Sequence, residues 1–264
     1  MTKRHLNFSG KTALITGASQ GIGLATAEIL SKYGATVVLA ARSIDMLREH
    51  AQRISTQDVQ AYAAQCDVSD YQSVTHAVNN ALSYTGRLDI LVNNAGTIDP
   101  LSTLIESDPE SWSRAVDVNY KGVYYCMRAA IPHMLKQDDA TVVNISSGAA
   151  NSALVGWSHY CSTKAAAKKL TEVAHKELAE HNIRIVGLSP GTVATDMMKK
   201  IKDSQLNAVS NLDWNQHISP QWAGEAVAFL CGPEGEQFAG TDFSIKTPEG
   251  RKLVGLPAEN APDA

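Results

Sequence analysis

Cysteine is scarce in this chain and never clustered: Cys66, Cys126, Cys161 and Cys231 lie far apart among 264 residues, with no C-x-x-C pair. That spacing argues against both a zinc site and a disulfide framework, and the four read as reduced residues, mostly of the core. Charge of one sign is not in excess either. Lys and Arg number 23 against 27 Asp and Glu, the net charge is −4, and the basic residues are scattered. Nothing in that balance suggests a nucleic-acid surface. A long apolar run is missing as well. The opening Met1-Thr2-Lys3-Arg4-His5-Leu6-Asn7 is basic but is followed by none, so neither a signal peptide nor a membrane anchor is expected, and the cytoplasm is the expected location. Internal repeats and low-complexity linkers are also lacking. With 44% hydrophobic residues the chain can bury a full core, and a single α/β domain over residues 1–264 is expected.

The first organised segment is Thr12-Ala13-Leu14-Ile15-Thr16, an apolar run that ends in Gly17-Ala18-Ser19-Gln20-Gly21-Ile22-Gly23. After it Leu24, Ala27, Ile29 and Leu30 have helical spacing up to Gly34. Strand, glycine loop and helix in that order suit a pyrophosphate, which the backbone can approach closely and which rests on the amides of the helix N-terminus. The commoner Gly-x-Gly-x-x-Gly spacing is absent. Gly-x-x-x-Gly-x-Gly alone can mean only a tight turn, but its place after the first strand favours a nucleotide site.

Thr36 to Ala41 reads as the next buried strand. Its end lacks the acidic side chain that would bond the adenosine ribose hydroxyls and repel a 2′-phosphate; the residues there are Ala40-Ala41-Arg42-Ser43. A charge-assisted bond from Arg42 to phosphate is worth about 1.5 to 3 kcal/mol, so NADP(H) is expected over NAD(H), the alternative being a solvated Arg42 at the sheet edge.

A polar-faced helix from Ile44 to Ile54 leads to a strand, Val59 to Gln65, ending in Cys66-Asp67-Val68. Asp67 stands where ligands of open α/β sheets collect and can bond an adenine amino group, or simply cap the next helix. Ser69 or Asp70 is the better cap, which leaves Asp67 free. The helix through Val74, Val78 and Leu82, closed by Gly86, precedes the strand Leu88 to Val92. That strand ends in Asn93-Asn94-Ala95-Gly96, either a plain turn or one whose small residues let a cofactor pass.

Pro109 opens a long helix to about Gln137, with Ser107 or Asp108 as its cap. Asn119 lies inside it among valines, so its amide needs a partner. Further strands are expected at Thr141 to Ser146, Ile183 to Leu188 and Thr241 to Ile245, and a helix from Pro220 to Cys231. Alternating strands and helices predict a single Rossmann-type, doubly wound parallel sheet of about seven strands flanked by helices. Residues 196–215 are amphipathic without a strand and read as a short helical lid over the substrate; the tail, 248–264, is expected to be loosely ordered.

Tyr160-Cys161-Ser162-Thr163-Lys164 begins a helix near Ser158, so Tyr160 and Lys164, four apart, share one face. Many helices carry such a pair as a half-buried ring and a solvated amine. Chemistry would need the phenol, with an ordinary pKa of about 10, brought toward neutrality by a fixed positive charge. At about 4 Å and an effective dielectric of about 20 an ammonium contributes about 4 kcal/mol, enough for about three pKa units.

Together these residues resemble the short-chain dehydrogenase/reductase family over about Gly10 to Ile245. Thr16 to Gly23 is similar to its cofactor loop, Asn93-Asn94-Ala95-Gly96 to its central-strand turn, and Tyr160-x-x-x-Lys164 to its active-site pair. The family's serine, thirteen positions before the tyrosine, falls on Ser147 and not on Ser146; its helix asparagine falls on Asn119 and its Pro-Gly turn on Pro190-Gly191, with Val193 and Thr195 placed at the nicotinamide carboxamide. The resemblance implies a catalytic set of Asn119, Ser147, Tyr160 and Lys164. Cofactor contacts are implied from Gly17, Ser19, Gln20, Gly21, Ile22, Gly23, Arg42, Ser43, Asp67, Val68, Asn94, Ala95 and Gly96, and from the Pro190–Thr195 turn. In the implied reaction NADPH gives a hydride to a carbonyl carbon while Tyr160 protonates the oxygen. Ser147 holds that oxygen, Lys164 lowers the tyrosine pKa and bonds the nicotinamide ribose, and Asn119 supports a water between Lys164 and solvent.

The segment Ser146 to Ala150 with Gly156-Trp157-Ser158-x-Tyr160 is most similar to the branch holding sepiapterin reductase and bacterial benzil reductases. Leu154, Val155, Trp157, Met197 and Met198 suit an apolar pocket for an aromatic or α-dicarbonyl compound, and equally suit core or interface packing. A pterin would need an acidic anchor from near the last strand, for which Asp242 is the only candidate. The usual Asp-Gly-Gly ending is replaced by Lys246-Thr247-Pro248-Glu249-Gly250. One alternative is a 3-oxoacyl thioester reductase, whose acidic carrier protein would meet Lys199, Lys200 and Lys202. Another is a non-catalytic, NADP-sensing binding protein. The family also implies a homodimer or homotetramer.

Overall fold

The computed structural model describes residues 6–258. Seven parallel strands form its sheet: β1 (Thr12–Thr16), β2 (Thr36–Ala41), β3 (Ala61–Gln65), β4 (Ile90–Asn93), β5 (Ala140–Ile145), β6 (Ile183–Ser189) and β7 (Asp242–Ser244). Their order is β3-β2-β1-β4-β5-β6-β7. The chain therefore starts in the middle, winds outward through β2 and β3, and returns to the other side of β1 with β4. That reversal opens a crevice at the carboxyl ends of β1 and β4, where an α/β sheet of this kind takes a ligand. This is the doubly wound architecture that the alternation of elements predicts.

The helices are α1 (Gly21–Lys32), α2 (Ile44–Ile54), α3 (Tyr71–Thr85), α4 (Pro109–Val116), α5 (Gly122–Met134), α6 (Ser158–Leu178), α7 (Asp196–Ser204), α8 (Pro220–Cys231) and α9 (Pro248–Val254). Strand alternation sorts the core into two layers. Ala13 and Ile15 of β1 pack with Leu30 of α1 and Phe229 of α8 on one face. Leu14 of β1 and Leu91 of β4 pack with Val78 of α3 and Met127 of α5 on the other. Central strands buried on both faces are continuous apolar runs, as the all-buried Thr12–Thr16 is. Each fully buried Leu contributes about 1.5–3 kcal/mol, and truncating Leu91 to Ala would cost about 2–5 kcal/mol.

Two features differ from the sequence reading. The helix expected from Pro109 to Gln137 is broken in the middle by a π-turn at Asp117–Lys121, which joins α4 to α5 and carries Asn119. Asp108 is its N-cap, accepting from Ser111 N at 2.8 Å. The tail is ordered over Pro248–Val254, which corrects the expectation for 248–264. Thr247 accepts from Gly250 N at 3.1 Å, Pro248 occupies the first turn, and Gly255 ends the helix at φ +79°. Arg251 ties α9 down, donating from Nε to Ile245 O at 2.9 Å and lying over the Trp222 ring. Residues 259–264, and Met1 to His5 of the N-terminal segment, lie outside the described residues. Past the carboxyl end of β6, α7 is followed by two short 3-10 turns, Ala208–Asn211 and Trp214–Gln216. Among the described residues no helix is long and apolar enough to cross a membrane.

Candidate active site

The loops after β1 and β4 are bound to each other. Thr16 Oγ1 accepts from the amides of Asn94 (3.0 Å) and Ala95 (3.2 Å), and Asn94 Nδ2 donates back to the carbonyls of Thr16 (2.9 Å) and Gly17 (3.1 Å). The approach leaves no room for side chains. Gly17 has φ +63°, and a Cβ on it would lie 2.8 Å from Ala95 Cα. A Cβ on Gly23 would collide with the Gly17 carbonyl oxygen and lie 2.5 Å from Asn94 Nδ2. Gly23 is off the cleft wall; its part is to let α1 close on the loop.

The first turn of α1 holds no acidic residue, and the side chain of its N-cap, Gln20, makes no capping bond. Gly21 and Ile22 line the cleft there, so an anion can rest on the helix's outward amides. The cleft, about 1090 Å³, runs from this point past Arg42 and Ser43 on one side and toward α6 and α7 on the other. A dinucleotide fits this cradle.

At the far end of β2, Arg42 and Ser43 are exposed and Ser43, the N-cap of α2, makes no side-chain cap bond. Both remain available to a ligand. Asp67 is more committed than its sequence position suggested: its Oδ1 accepts from Ser69 N (3.0 Å) and Ser69 Oγ (2.6 Å), while Asp70 caps α3. Burial pushes the Asp67 carboxyl up, but the Ser69 bonds and the Arg42 charge outweigh it and hold the pKa below the usual value.

On the other wall, β5 ends at Ile145, and the next residues carry the chemistry. Ser147 N-caps a short 3-10 turn, accepting from Ala149 N at 3.2 Å. Its side chain is close enough to the Tyr160 hydroxyl to favour the phenolate. Lys164 Nζ donates to Ile145 O at 2.7 Å. Tyr160 and Lys164 are both buried, 9% and 5% exposed, one turn apart on α6. Their electrostatics reverse the sequence expectation. Burial pushes Tyr160 up to about 12, against the effect of Ser147, and burial lowers Lys164 to about 8, against the charge of Asp242. Desolvation outweighs the pair's attraction because the ammonium is held by a carbonyl and lies 5.7 Å from the ring centroid.

Asn119 finds its partner in Thr97: Nδ2 donates to Thr97 O at 2.8 Å and Oδ1 accepts from Thr97 N at 2.8 Å. Both ends of the amide are used, and the residue is off the cleft wall. Apart from Asn119 and Gly23, the expected catalytic and cofactor residues all line the cleft, including Ser19, Val68, Gly96, Pro190, Gly191, Val193 and Thr195; Val155, 63% exposed, does not.

The substrate end is apolar. Trp157 stands edge-on to Tyr160, with centroids 5.6 Å apart at 80°, and clusters with Met198 and Ile201 of α7. Leu154 and Met197 pack against the cluster and also line the cleft. Trp157 is 4% exposed, so it is packing and wall at once. Lys200 of α7 reaches across to Asp99 at 2.7 Å, and Lys199 pairs with Asp196 at 2.7 Å. Sequence reasoning missed Lys246 and Arg251, which also line the cleft. The Thr247-Pro248 start and the Gly255 stop of α9 were the available signal.

Comparison with known proteins agrees with this fold. The family model described as short chain dehydrogenase matches residues 11–206. A 3-oxoacyl-[acyl-carrier-protein] reductase of Thermotoga maritima is 32% identical over 91% of this chain and 98% of its own length. The crystal structure of a 3-ketoacyl-(acyl-carrier-protein) reductase from Brucella melitensis complexed with NADH superposes with a TM-score of 0.80 at 31% identity, over 90% of this chain and 98% of that one. A short-chain type dehydrogenase/reductase from Mycobacterium marinum gives 0.83 at 30% identity, covering 91% and 95%.

Proposed function

The chain belongs to the short chain dehydrogenase family, and on that premise we propose that it is an NADPH-dependent carbonyl reductase acting on a small ketone or aldehyde. The observation that carries this reading is the placing of Ser147, Tyr160 and Lys164 together at the wall of a cleft that also receives the α1 N-terminus. A reduced nicotinamide bound there supplies a hydride to the carbonyl carbon. Tyr160 gives its proton to the carbonyl oxygen, which Ser147 steadies by a hydrogen bond, and the product is the alcohol. Lys164 stabilises the phenolate left behind and returns a proton to it. Asn119, held in place by the two Thr97 bonds to its amide, supports a water on the route from Lys164 to solvent. Arg42 and the uncapped Ser43 favour a 2′-phosphate, hence NADPH.

The apolar wall of Leu154, Trp157, Met197 and Met198 favours an aromatic or α-dicarbonyl substrate, in keeping with the likeness to sepiapterin and benzil reductases. The named relatives favour a second reading, a 3-oxoacyl thioester reductase. Against carrier docking, Lys199 and Lys200 are already ion-paired. The protein would work in the cytoplasm as a homodimer or homotetramer. The test is consumption of NADPH and of NADH across benzil, 1-phenyl-1,2-propanedione, simple aldehydes, sepiapterin and an acetoacetyl thioester. The reading expects the diketones with NADPH to be fastest. Preference for the thioester would replace it with the second, and NADPH binding without any turnover would mark a cofactor-sensing protein.

A further inference from the structure

Behind the catalytic wall, away from the cleft, lies a carboxylate that the reaction above does not use. Asp242 opens β7, and its Oδ2 accepts from Ser146 Oγ at 3.2 Å. Its Oδ1 is fully buried and has no hydrogen-bond partner among the described residues. The fold makes room for it: Gly187 of β6 pairs with Asp242 across the sheet, and a Cβ there would lie 2.5 Å from Oδ1. An unpaired buried carboxylate oxygen costs free energy unless a charge nearby compensates.

The charged groups acting on it all come from α6: Lys168, Lys164 and Glu172, while the residue after β5 offers the Ser146 hydroxyl and β6 only the bare Gly187. Lys168 Nζ is held by Asn151 Oδ1 at 2.8 Å, which leaves Lys164 as the buried cation. Three consecutive residues then link the set. Ile145 holds Lys164 by its carbonyl, Ser146 bonds Asp242, and Ser147 lowers the Tyr160 pKa against the effect of burial.

We propose that Asp242 is a positioning residue of this active site: its anionic side chain anchors Ser146 from behind and balances the Lys164 ammonium. It lines no part of the cleft and so touches neither substrate nor cofactor. The catalytic consequence rests on the carbonyl-reductase reading; the electrostatic one does not. Burial alone drives Lys164 toward its neutral form, and the Asp242 charge opposes that. Removing the charge lowers the pH at which Lys164 loses its proton.

The test uses the full chain labelled with 13C at lysine Cε, with the Lys164 resonance assigned by its loss in Lys164→Arg. In Asp242→Asn, which keeps the shape and the Ser146 partner, the Lys164 titration midpoint is expected to fall by about one unit or more, the scale of a nearby buried charge. The alkaline limb of the kcat profile with NADPH should fall with it. Gly187→Ala, which displaces Oδ1 while keeping the carboxylate, should move both readouts the same way by less. An unchanged midpoint in Asp242→Asn overturns the proposal, as does loss of the native fold in both variants, which would assign Asp242 to stability alone. Absence of turnover in the unsubstituted protein would instead sink the carbonyl-reductase reading and leave the lysine titration to decide this one.

Discussion

Lys164 Nζ sits 5.7 Å from the centre of the Tyr160 ring and bonds the carbonyl of Ile145 at 2.7 Å. The ammonium thus lies against the ring and is anchored by the main chain, rather than capping the phenol oxygen. In this arrangement the lysine titrates near neutrality and the tyrosine does not, since burial takes Lys164 down to about 8 and Tyr160 up to about 12.

A pH dependence follows with a definite sign. Below about 8 Lys164 keeps the charge that steadies a phenolate; above it the charge is lost while Tyr160 is still protonated. The rate of carbonyl reduction is expected to fall with rising pH through a single ionisation near 8. The same shift bears on stability. A lysine whose folded pKa is depressed weakens the fold at pH values below that pKa, and the penalty is relieved as pH rises toward the unfolded value of about 10.4. Rate profiles of kcat from pH 6 to 10 check the first point; a profile flat to pH 10 contradicts it.

Cofactor choice is the second prediction. Replacing Arg42 with Ala should raise KM for NADPH about tenfold to a hundredfold, the worth of a charge-assisted phosphate bond, and leave KM for NADH within about twofold. Steady-state kinetics with both cofactors decide it. Equal losses with the two would mean that Arg42 does not meet a 2′-phosphate.

The third concerns the closeness of α1 to its loop. Gly23→Ala places a methyl against the Gly17 carbonyl and 2.5 Å from Asn94 Nδ2, and the backbone side of that contact cannot yield cheaply. Strain of about 1–3 kcal/mol is expected, seen as a weaker dissociation constant for NADPH of about tenfold or more by fluorescence titration. Unchanged affinity would show that the loop can open without cost.

Much of this architecture was legible because it rests on local rules. The apolar runs Thr12 to Thr16 and Thr36 to Ala41 read as buried strands, Ile44 to Ile54 carries helical spacing, and Pro220 to Cys231 adds to it a Ser219 cap and a first-turn proline. Asn119 betrayed itself as a buried amide in need of a partner, yet nothing local told of the π-turn that seats it against Thr97, a loop 22 residues earlier. Helix α9 was missed for a different reason: a Pro- and Glu-rich composition outweighed its start and stop signals. The Tyr160–Lys164 pairing was readable, but its electrostatics were not, because desolvation depends on how deeply the fold encloses both groups. Asp242 was visible as a residue, while its place behind Ser146 comes from β7 pairing with β6, a contact between segments about fifty residues apart.

The most direct test of the account is the single-turnover rate of carbonyl reduction by Tyr160→Phe with NADPH bound. The substitution removes one hydroxyl from a buried ring and leaves the cofactor loop untouched. The account predicts NADPH affinity within about twofold of the unsubstituted protein and a rate at least about a hundredfold lower, the smaller end of the range for a lost general acid. A variant that binds NADPH normally and reduces the carbonyl at the full rate would contradict it.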